Sequence, residues 1–145
     1  MGNIRSIVTG VDGSESSRAA LHWAHDEAAH HGASLTVVTA WHLPTLPMTP
    51  PYGSLPEAGY ESQPKQNALA VLERLIDALE VREPAVDVRS SIEEGSPAKV
   101  LIERSKECDL LVVGHRGREG FAGMLLGSVS QALVNHAHCP VVVVR

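Results

Sequence analysis

The sequence is poor in aromatic residues and carries no excess of basic charge. Its 145 residues include two Trp, two Tyr and one Phe, and the net charge is −5. So few aromatic rings offer little surface for stacking nucleic-acid bases, and an acidic chain does not attract a phosphate backbone or an anionic membrane. We therefore expect neither nucleic acid nor a membrane as a partner.

The chain also lacks a disulfide framework and any long hydrophobic run. Its two cysteines, Cys108 and Cys139, are interpreted as small packing residues. The apolar runs 110–113 and 141–144 are far shorter than the ~20 residues that cross a bilayer. No secretory signal is recognisable, so we expect a reduced, cytoplasmic protein.

The length favours a single domain, which we expect to cover 1–145. A domain of roughly 150 residues buries about 68–70% of its unfolded surface and needs no disulfide or metal to fold. Its hydrophobic residues change period repeatedly, which predicts alternating strands and helices. The predicted strands are 4–11, 35–41, 85–92, 110–113 and 141–144, and the predicted helices are 16–31, one from about 64, 97 to about 108, and a short one after 127.

Residues 42–60, from His42 to Tyr60, have no periodicity and contain five prolines. A loop of this length predicts a lid, a binding loop or a disordered segment. The residues themselves do not decide among these three.

The order βαβαβαβαβ predicts an α/β fold, a five-stranded parallel sheet with helices on both faces. In such sheets ligands bind outside the carboxyl ends of the strands, where the strand order reverses. Glycine-containing turns follow the first and fourth predicted strands, at 10–13 and 114–117. If these strands are neighbours, both turns face one crevice, but the periodicity leaves the strand order open.

The segment that begins at Gly114 predicts a phosphate-binding loop. Gly114 and Gly117 are followed, after nine residues, by Gly127 and Ser128. Glycine lets backbone N–H groups approach phosphate oxygens, and Gly117 can adopt a positive φ that aims them. Gly127 and Ser128 open the last helix, whose unpaired N–H groups favour an anion, and the hydroxyls of Ser128 and Ser130 add donors. A flexible loop with helix-capping glycines is the alternative.

Other familiar signatures do not fit. No lysine follows Gly127, which excludes a Walker loop, and the first turn has only Gly10 and Gly13, too few for the dinucleotide fingerprint. Histidines at 22 and 30 share a helix face with Asp26, which we interpret as solvated. The histidines and cysteine of 136–139 lack a second pair to complete a zinc site.

The spacing Gly-x2-Gly-x9-Gly-Ser, between a Val-rich strand and a short helix, resembles the signature of the ATP-binding branch of the universal stress protein family. Residues 11–17 resemble that family's first turn and residues 139–144 its last strand, so the resemblance covers the whole chain. It implies an adenine nucleotide alpha hydrolase-like fold with strand order 3-2-1-4-5. The first and fourth strands are neighbours in that order.

The resemblance also implies a nucleotide site made from both turns. The matching positions are Gly114, Gly117, Gly127, Ser128 and Val129 for phosphate and ribose, Asp12 with Gly10 and Val11 near the adenosine, the backbone of Ala40 for the adenine edge, and Val113 for the floor of the pocket. Arg116 and Arg118 are the nearby cations, and His115 either reaches a phosphate or is simply exposed. For Asp12, an Asx turn at the start of the first helix is the alternative.

The ligand implied by the resemblance is ATP with Mg²⁺, and Asp12 would reach the metal that the nucleotide carries. Phosphoryl transfer needs a positioned base and strong charge stabilisation, whereas this loop offers backbone donors without a lysine. We therefore expect a non-catalytic, nucleotide-dependent regulator of a stress response. Three alternatives stay open: a slow ATP hydrolase that uses Asp12 with His115 or Arg116, a cyclic-AMP-binding protein, and an interaction module with an empty pocket.

A homodimer is expected through the last strand, which runs from Val141 towards Arg145. This strand is apolar and would lie at the edge of the sheet, where unpaired backbone groups invite pairing with another chain. The family resemblance implies the same arrangement.

Overall fold

A computed structural model describes residues 2–43, 62–80, 84–117 and 125–145. The strands are β1 (Ser6–Gly10), β2 (Ser34–Trp41), β3 (Val88–Glu94), β4 (Leu110–Gly114) and β5 (Val141–Val144), and the helices are α1 (Glu15–His31), α2 (Ser62–Glu80), α3 (Pro97–Arg104) and α4 (Ser128–His136). Most of the proline-rich segment, from 44 to 60, and Arg118 lie outside the described residues. None of the described helices combines the length and the hydrophobicity needed to cross a membrane.

The five strands form one parallel sheet in the order β3-β2-β1-β4-β5. The chain builds outward from β1 through β2 to β3, then crosses back and adds β4 and β5 on the other side of β1. The strand order therefore reverses between β1 and β4, the place where parallel α/β sheets bind their ligands. The expected strand order is confirmed.

Alternate side chains of the strands enter two separate hydrophobic layers. Ile7 and Leu35 pack with α1 and α2 on one face, whereas Val8 and Leu111 pack with α3 and α4 on the other. The interior strand β4 is buried on both faces, as its unbroken apolar sequence predicted. Helices on both faces of the sheet are thus confirmed.

The bounds of two strands differ from the prediction by two residues or more. The first strand begins at Ser6 rather than at 4, and the third covers Val88–Glu94 rather than 85–92. Pairing with β2, which starts where Leu35 meets Val88, defines the third strand. Hydrophobic alternation is a local signal and carries no information about which residue pairs with which.

Helix α3 ends at Arg104, earlier than the expected 108, because the N–H groups of Lys106 and Glu107 bond to carbonyls three residues back (3.2 and 3.1 Å) and the chain continues as tighter turns. The Ser105 hydroxyl donates to the carbonyl of Ile102 (2.6 Å) and accepts a hydrogen bond from the N–H of His138 (2.9 Å). This buried serine therefore joins the end of α3 to the segment that leads into β5.

Asp109 joins the beginning of β4 to the beginning of β1. Its Oδ2 accepts hydrogen bonds from the backbone N–H groups of Arg5 (2.9 Å) and Ser6 (3.0 Å) and from the Ser6 hydroxyl (3.2 Å). The N–H of Arg5, followed by that of Ser6, lowers the pKa of the Asp109 carboxyl from its ordinary value of 3.8. The carboxylate thus holds the two central strands together at their amino ends.

Replacing Asp109 with alanine should lower the thermal unfolding midpoint by a few degrees at pH 7, because two N–H groups lose their acceptor. A carboxyl whose pKa is lowered on folding contributes stability above its unfolded pKa and loses it as the pH falls through the folded pKa. The difference between wild type and the variant should therefore shrink below pH 3.8, as measured by thermal melts across pH.

The matched control is Asp87→Ala, which removes an exposed carboxylate that accepts a hydrogen bond from Arg89. Exposed ion pairs of this kind contribute little to stability. Equal decreases of the melting temperature in the two variants at pH 7 would contradict a stabilising role for the Asp109 carboxylate. So would a difference between wild type and Asp109→Ala that persists unchanged in acid.

Candidate functional site

The pairing of β1 with β4 brings the two predicted turns to one crevice. Ile7 is in register with Leu110 and Thr9 with Val112, so both strands end at the same level of the sheet. The turn after β1 and the turn after β4 therefore emerge side by side at the carboxyl ends. The conditional expectation from the sequence is confirmed.

The turn after β1 holds Asp12 at the mouth of this crevice. Its Oδ1 accepts a hydrogen bond from the N–H of Ser14 (2.9 Å), and Gly13 has a φ of 84°. Ser14 then caps α1 by accepting a hydrogen bond from the N–H of Ser17 (3.2 Å). The Asx turn at Asp12 is therefore real, and it engages Oδ1 rather than Oδ2.

Gly117 brings the second turn against the same carboxylate. A Cβ added to Gly117 would lie 2.8 Å from Oδ2 of Asp12, so a side chain there would displace this carboxylate. Gly117 does not use the positive φ that glycine permits, since the described glycines with positive φ are Gly13, Gly32 and Gly95. Close approach to Asp12, and not backbone conformation, is what the structure shows at 117.

Gly114, the last residue of β4, lies directly against the first turn of α1. An added Cβ would meet Oγ of Ser16 and would lie 2.7 Å from both the carbonyl carbon and the carbonyl oxygen of that residue. Real Cβ atoms do not approach backbone so closely. Glycine here lets α1 begin at the edge of the crevice.

His115 lies behind the crevice and is bonded within the protein on both ring nitrogens. Nδ1 lies 3.3 Å from the carbonyl of Val144 and 3.1 Å from Oγ of Ser16, and Nε2 accepts a hydrogen bond from Nε of Arg116 (3.0 Å). A carbonyl only accepts and a guanidinium only donates, so this arrangement assigns the proton to Nδ1 of a neutral ring. The sequence left open whether this ring reaches a phosphate or is exposed. The structure shows neither, because both ring nitrogens are hydrogen-bonded to other groups of the protein.

The two ends of the glycine loop are hydrogen-bonded to each other. The N–H of Gly127 donates to the carbonyl of His115 (2.6 Å), and the hydroxyl of Ser130 lies 3.0 Å from that carbonyl and 3.1 Å from the carbonyl of Gly127. The Ser130 hydroxyl was expected to be a donor to phosphate. It is buried and engaged with the loop instead.

The beginning of α4 opens beside these glycines. Gly127 is the N-cap residue and supplies no side-chain hydrogen bond to the first turn. A Cβ at Gly127 would lie 3.3 Å from Cα of Arg116 and 3.5 Å from N of Gly117. Ser128 is exposed and Val129 is half-buried. The first N–H groups of α4 therefore lie near the crevice, where they favour an anion.

Ala40 lies where β2 extends past the end of β1. The carbonyl of Val38 accepts a hydrogen bond from the N–H of Val11 (2.9 Å), so Val38 directs its backbone groups towards β1. Backbone direction alternates along a strand, so Ala40 directs its N–H and C=O to the same side, beyond Gly10, the last β1 residue paired with β2. Any side chain at 40 would leave this backbone edge in place.

Three other predicted site residues are packed beneath the ends of β1 and β4. Val11 is buried in the layer under α1 and α2, and Val113 in the layer under α3 and α4. A Cβ at Gly10 would lie 2.6 Å from Cδ1 of Leu101, so this glycine lets α3 pack against the end of β1. These three residues shape the site through packing.

Ser16 was not singled out in the sequence, although it belongs to this site. Its Oγ contacts His115 and accepts a long hydrogen bond from the N–H of Arg116 (3.4 Å). No sequence motif indicated this role, since a serine in the first turn of a helix is ordinary. Only the packing of α1 against the end of β4 places it there.

The candidate metal groups are not assembled within the described part of the chain. No group of three or more His, Cys, Asp or Glu residues there has the arrangement of a metal site. His30, Asp26, His136 and His138 are exposed and His22 is half-buried, in agreement with a solvated interpretation.

Comparisons with known proteins agree with this architecture. The model of the universal stress protein family matches residues 3–145. A universal stress protein of Mycolicibacterium smegmatis is 38% identical over 141 residues, and one of Mycobacterium tuberculosis is 37% identical over 139 residues. Each match covers 96% of this chain and 45% of the relative, so the chain spans less than half the length of these relatives.

Solved structures are similar over the whole chain. A universal stress protein solved in complex with cAMP is 32% identical, with a TM-score of 0.72 and 99% coverage of both chains. The protein UspA of Lactobacillus plantarum is 24% identical, with a TM-score of 0.76 and complete coverage of both chains, which shows a shared fold. The fold is the adenine nucleotide alpha hydrolase-like fold of these neighbours.

Replacing Gly114 with alanine should destabilise the protein by about 1–3 kcal/mol, the usual range for an added methyl group in a well-packed region. The methyl group would meet the backbone of Ser16, which cannot turn away as a flexible side chain could. Chemical denaturation measures the loss. Gly2→Ala is the control, since nothing lies within 4 Å of its added Cβ, and a Gly114→Ala variant as stable as this control would contradict the packing described.

Proposed function

The chain belongs to the universal stress protein family, and we propose that it binds an adenine nucleotide in the crevice between β1 and β4. The observation that carries the proposal is the close approach of Gly117 to Asp12, where an added Cβ would lie 2.8 Å from Oδ2 of the carboxylate. This approach brings a carboxylate, a glycine turn and a helix N-terminus around one space at the carboxyl ends of the sheet.

The phosphate groups would lie at the beginning of α4. The N-cap residue Gly127 leaves the first N–H groups of this helix without a side-chain acceptor, and the hydroxyl of Ser128 is exposed beside them. Together with the positive end of the helix dipole, these donors favour an anion. The base would reach the backbone of Ala40, whose N–H and C=O suit the edge of adenine.

The position of Asp12 favours ATP with Mg²⁺ as the ligand. A carboxylate next to phosphate oxygens is repulsive unless a cation lies between them, and Mg²⁺ bridges carboxylates and nucleotide phosphates readily. Asp12 would therefore contact the nucleotide through its metal. A second candidate is cAMP, since the similar protein that is 32% identical was solved with that ligand. Because cAMP carries one phosphodiester charge and no triphosphate, its binding would not require a metal ion.

A binding role without turnover is the activity that the described site supports best. Arg116 directs its Nε to His115, and His115 uses both ring nitrogens within the protein. Neither side chain is placed as a base or as a charge clamp for a transferred phosphoryl group, which phosphoryl transfer requires. We therefore propose a nucleotide-dependent regulator rather than an ATP hydrolase.

Calorimetric titration of nucleotide-free protein with ATP and Mg²⁺, then with cAMP, tests the assignment. Gly117→Val should weaken ATP binding by about tenfold or more, because its side chain displaces the Asp12 carboxylate. Asp12→Asn keeps an oxygen for the Asx turn and removes the charge, so it should reduce the Mg²⁺ dependence of ATP binding and leave cAMP binding unaffected.

Gly2→Val is the control for the glycine substitution, because space around Gly2 is open. Tight binding of cAMP with none of ATP would transfer the assignment to the second candidate. Steady phosphate release that disappears in Asp12→Asn would contradict the regulator and favour an ATP hydrolase. If neither ATP nor cAMP binds, the nucleotide-binding proposal fails and an interaction module is favoured.

We also propose that β5 pairs with a second copy of the chain. It is an edge strand, and the backbone groups that face β4 are bonded to it: the carbonyls of Pro140 and Val144 accept hydrogen bonds from the N–H groups of Leu111 and His115. Backbone direction alternates along a strand, so every second residue of β5 directs its N–H and C=O outward. By this alternation the backbone groups of Val143 point away from β4.

Val143→Pro should therefore shift the protein towards monomer, because it removes an outward N–H without removing a bond to β4. Val143→Ala is the matched control, since it shortens the same side chain and keeps the N–H. Light scattering at micromolar concentration measures the mass. A wild-type monomer, or a Val143→Pro variant that stays as dimeric as Val143→Ala, would contradict pairing through this edge.

A further inference from the structure

The two cysteines of the chain lie side by side at the end of the sheet opposite the crevice. Sγ of Cys108 and Sγ of Cys139 are 3.7 Å apart, and both residues are half-buried free thiols. Cys108 precedes β4 and Cys139 precedes β5, and these strands are paired neighbours. The sequence predicted two packing residues and gave no sign that the thiols are in contact.

The backbone on each side of this pair is anchored. Next to Cys108, the Asp109 carboxylate accepts the N–H groups of Arg5 and Ser6. Next to Cys139, the N–H of His138 donates to the buried Ser105 hydroxyl (2.9 Å). The short distance between the sulfurs therefore follows from the packing of β4 against β5 and does not depend on a loose loop.

We propose that Cys108 and Cys139 form an oxidative modification site, at which a peroxide converts the two thiols into an intramolecular disulfide. The thiolate of one cysteine attacks a peroxide oxygen, which breaks the O–O bond and gives a sulfenic acid and a hydroxide. The hydroxide takes up the proton that the thiol released and becomes the first water. The second thiol then attacks the sulfenic sulfur, forms the S–S bond and releases a second water. Overall, two thiols are oxidised, one hydrogen peroxide is reduced, and two waters leave.

The site responds to sustained oxidant rather than to a brief exposure. Burial, reinforced by the neighbouring Cys139, raises the pKa of Cys108 to about 12, and burial also raises the pKa of Cys139. Thiolate is the reactive form, so oxidation near neutral pH is slow and accelerates about tenfold for each pH unit below these pKa values. The partner sulfur in contact makes the disulfide the favoured product once the first thiol has reacted.

The disulfide would close a covalent loop around the segment that carries part of the candidate nucleotide site. The two cysteines are 31 positions apart, and the chain between them contains β4, the glycine loop and α4. Closing this loop restricts the unfolded chain and raises the thermal unfolding midpoint, by about 5–10 °C for a loop and a protein of this size. This effect requires only the fold and does not rest on nucleotide binding.

The test is treatment of the folded protein with hydrogen peroxide, followed by intact mass measurement and thiol counting after denaturation. Because the chain has two cysteines, the expected product is a monomer lighter by two hydrogens, without free thiols, restored by a dithiol reductant. Its melting temperature should rise, and the reaction should be faster at pH 9 than at pH 7. Cys108→Ser and Cys139→Ser are matched controls that should gain oxygen or form linked dimers instead.

A wild-type product that carries added oxygen atoms, or disulfide-linked dimers in the wild type, would overturn the proposal. So would a monomer that keeps both thiols under conditions in which the single-cysteine variants react. Melting of the untreated variants checks that each is folded, and the wild-type mass measurement needs no variant.

Discussion

Everything at the candidate site depends on the parallel pairing of β1 with β4. These strands come from opposite halves of the chain, and their pairing creates the reversal of strand order at the centre of the sheet. Parallel strands present all their carboxyl ends at one edge, so the turns that follow them meet there. Asp109 joins the same pair of strands at their amino ends, through the N–H groups of Arg5 and Ser6.

The glycines at the crevice are explained by the close approach of the turns and helices around it. Gly114 lets the first turn of α1 reach β4, Gly117 lets the second turn meet Asp12, and Gly127 lets α4 begin against the second turn. The side chain of His115 contacts Ser16 and the carbonyl of Val144, and the hydroxyl of Ser130 donates to the carbonyl of His115. These contacts stabilise the loop. The site is thus built largely from backbone, which suits a nucleotide whose phosphates and base edge are read by N–H and C=O groups.

Much of the site was predictable from the sequence, although some of the reasons differed. The spacing of Gly114, Gly117 and Gly127 identified the loop, because glycines at a strand end and a helix start leave a recognisable pattern. Gly117 does not use the positive φ that glycine permits, and the structure shows its close approach to Asp12 instead. The roles of Ser16 and His115 could not be predicted, because they arise from contacts between segments that lie far apart in the chain.

The sequence by itself determined the number and type of elements and the two glycine turns. These features follow from local preferences: hydrophobic period, capping residues and glycine positions act within a few residues of chain. The tertiary structure alone decided which atoms meet: Oδ2 of Asp12 with Gly117, the neutral ring of His115 with Ser16, and the sulfur of Cys108 with that of Cys139. Such contacts depend on strand register and helix packing, which are set by the whole core and are not written in any short stretch of sequence.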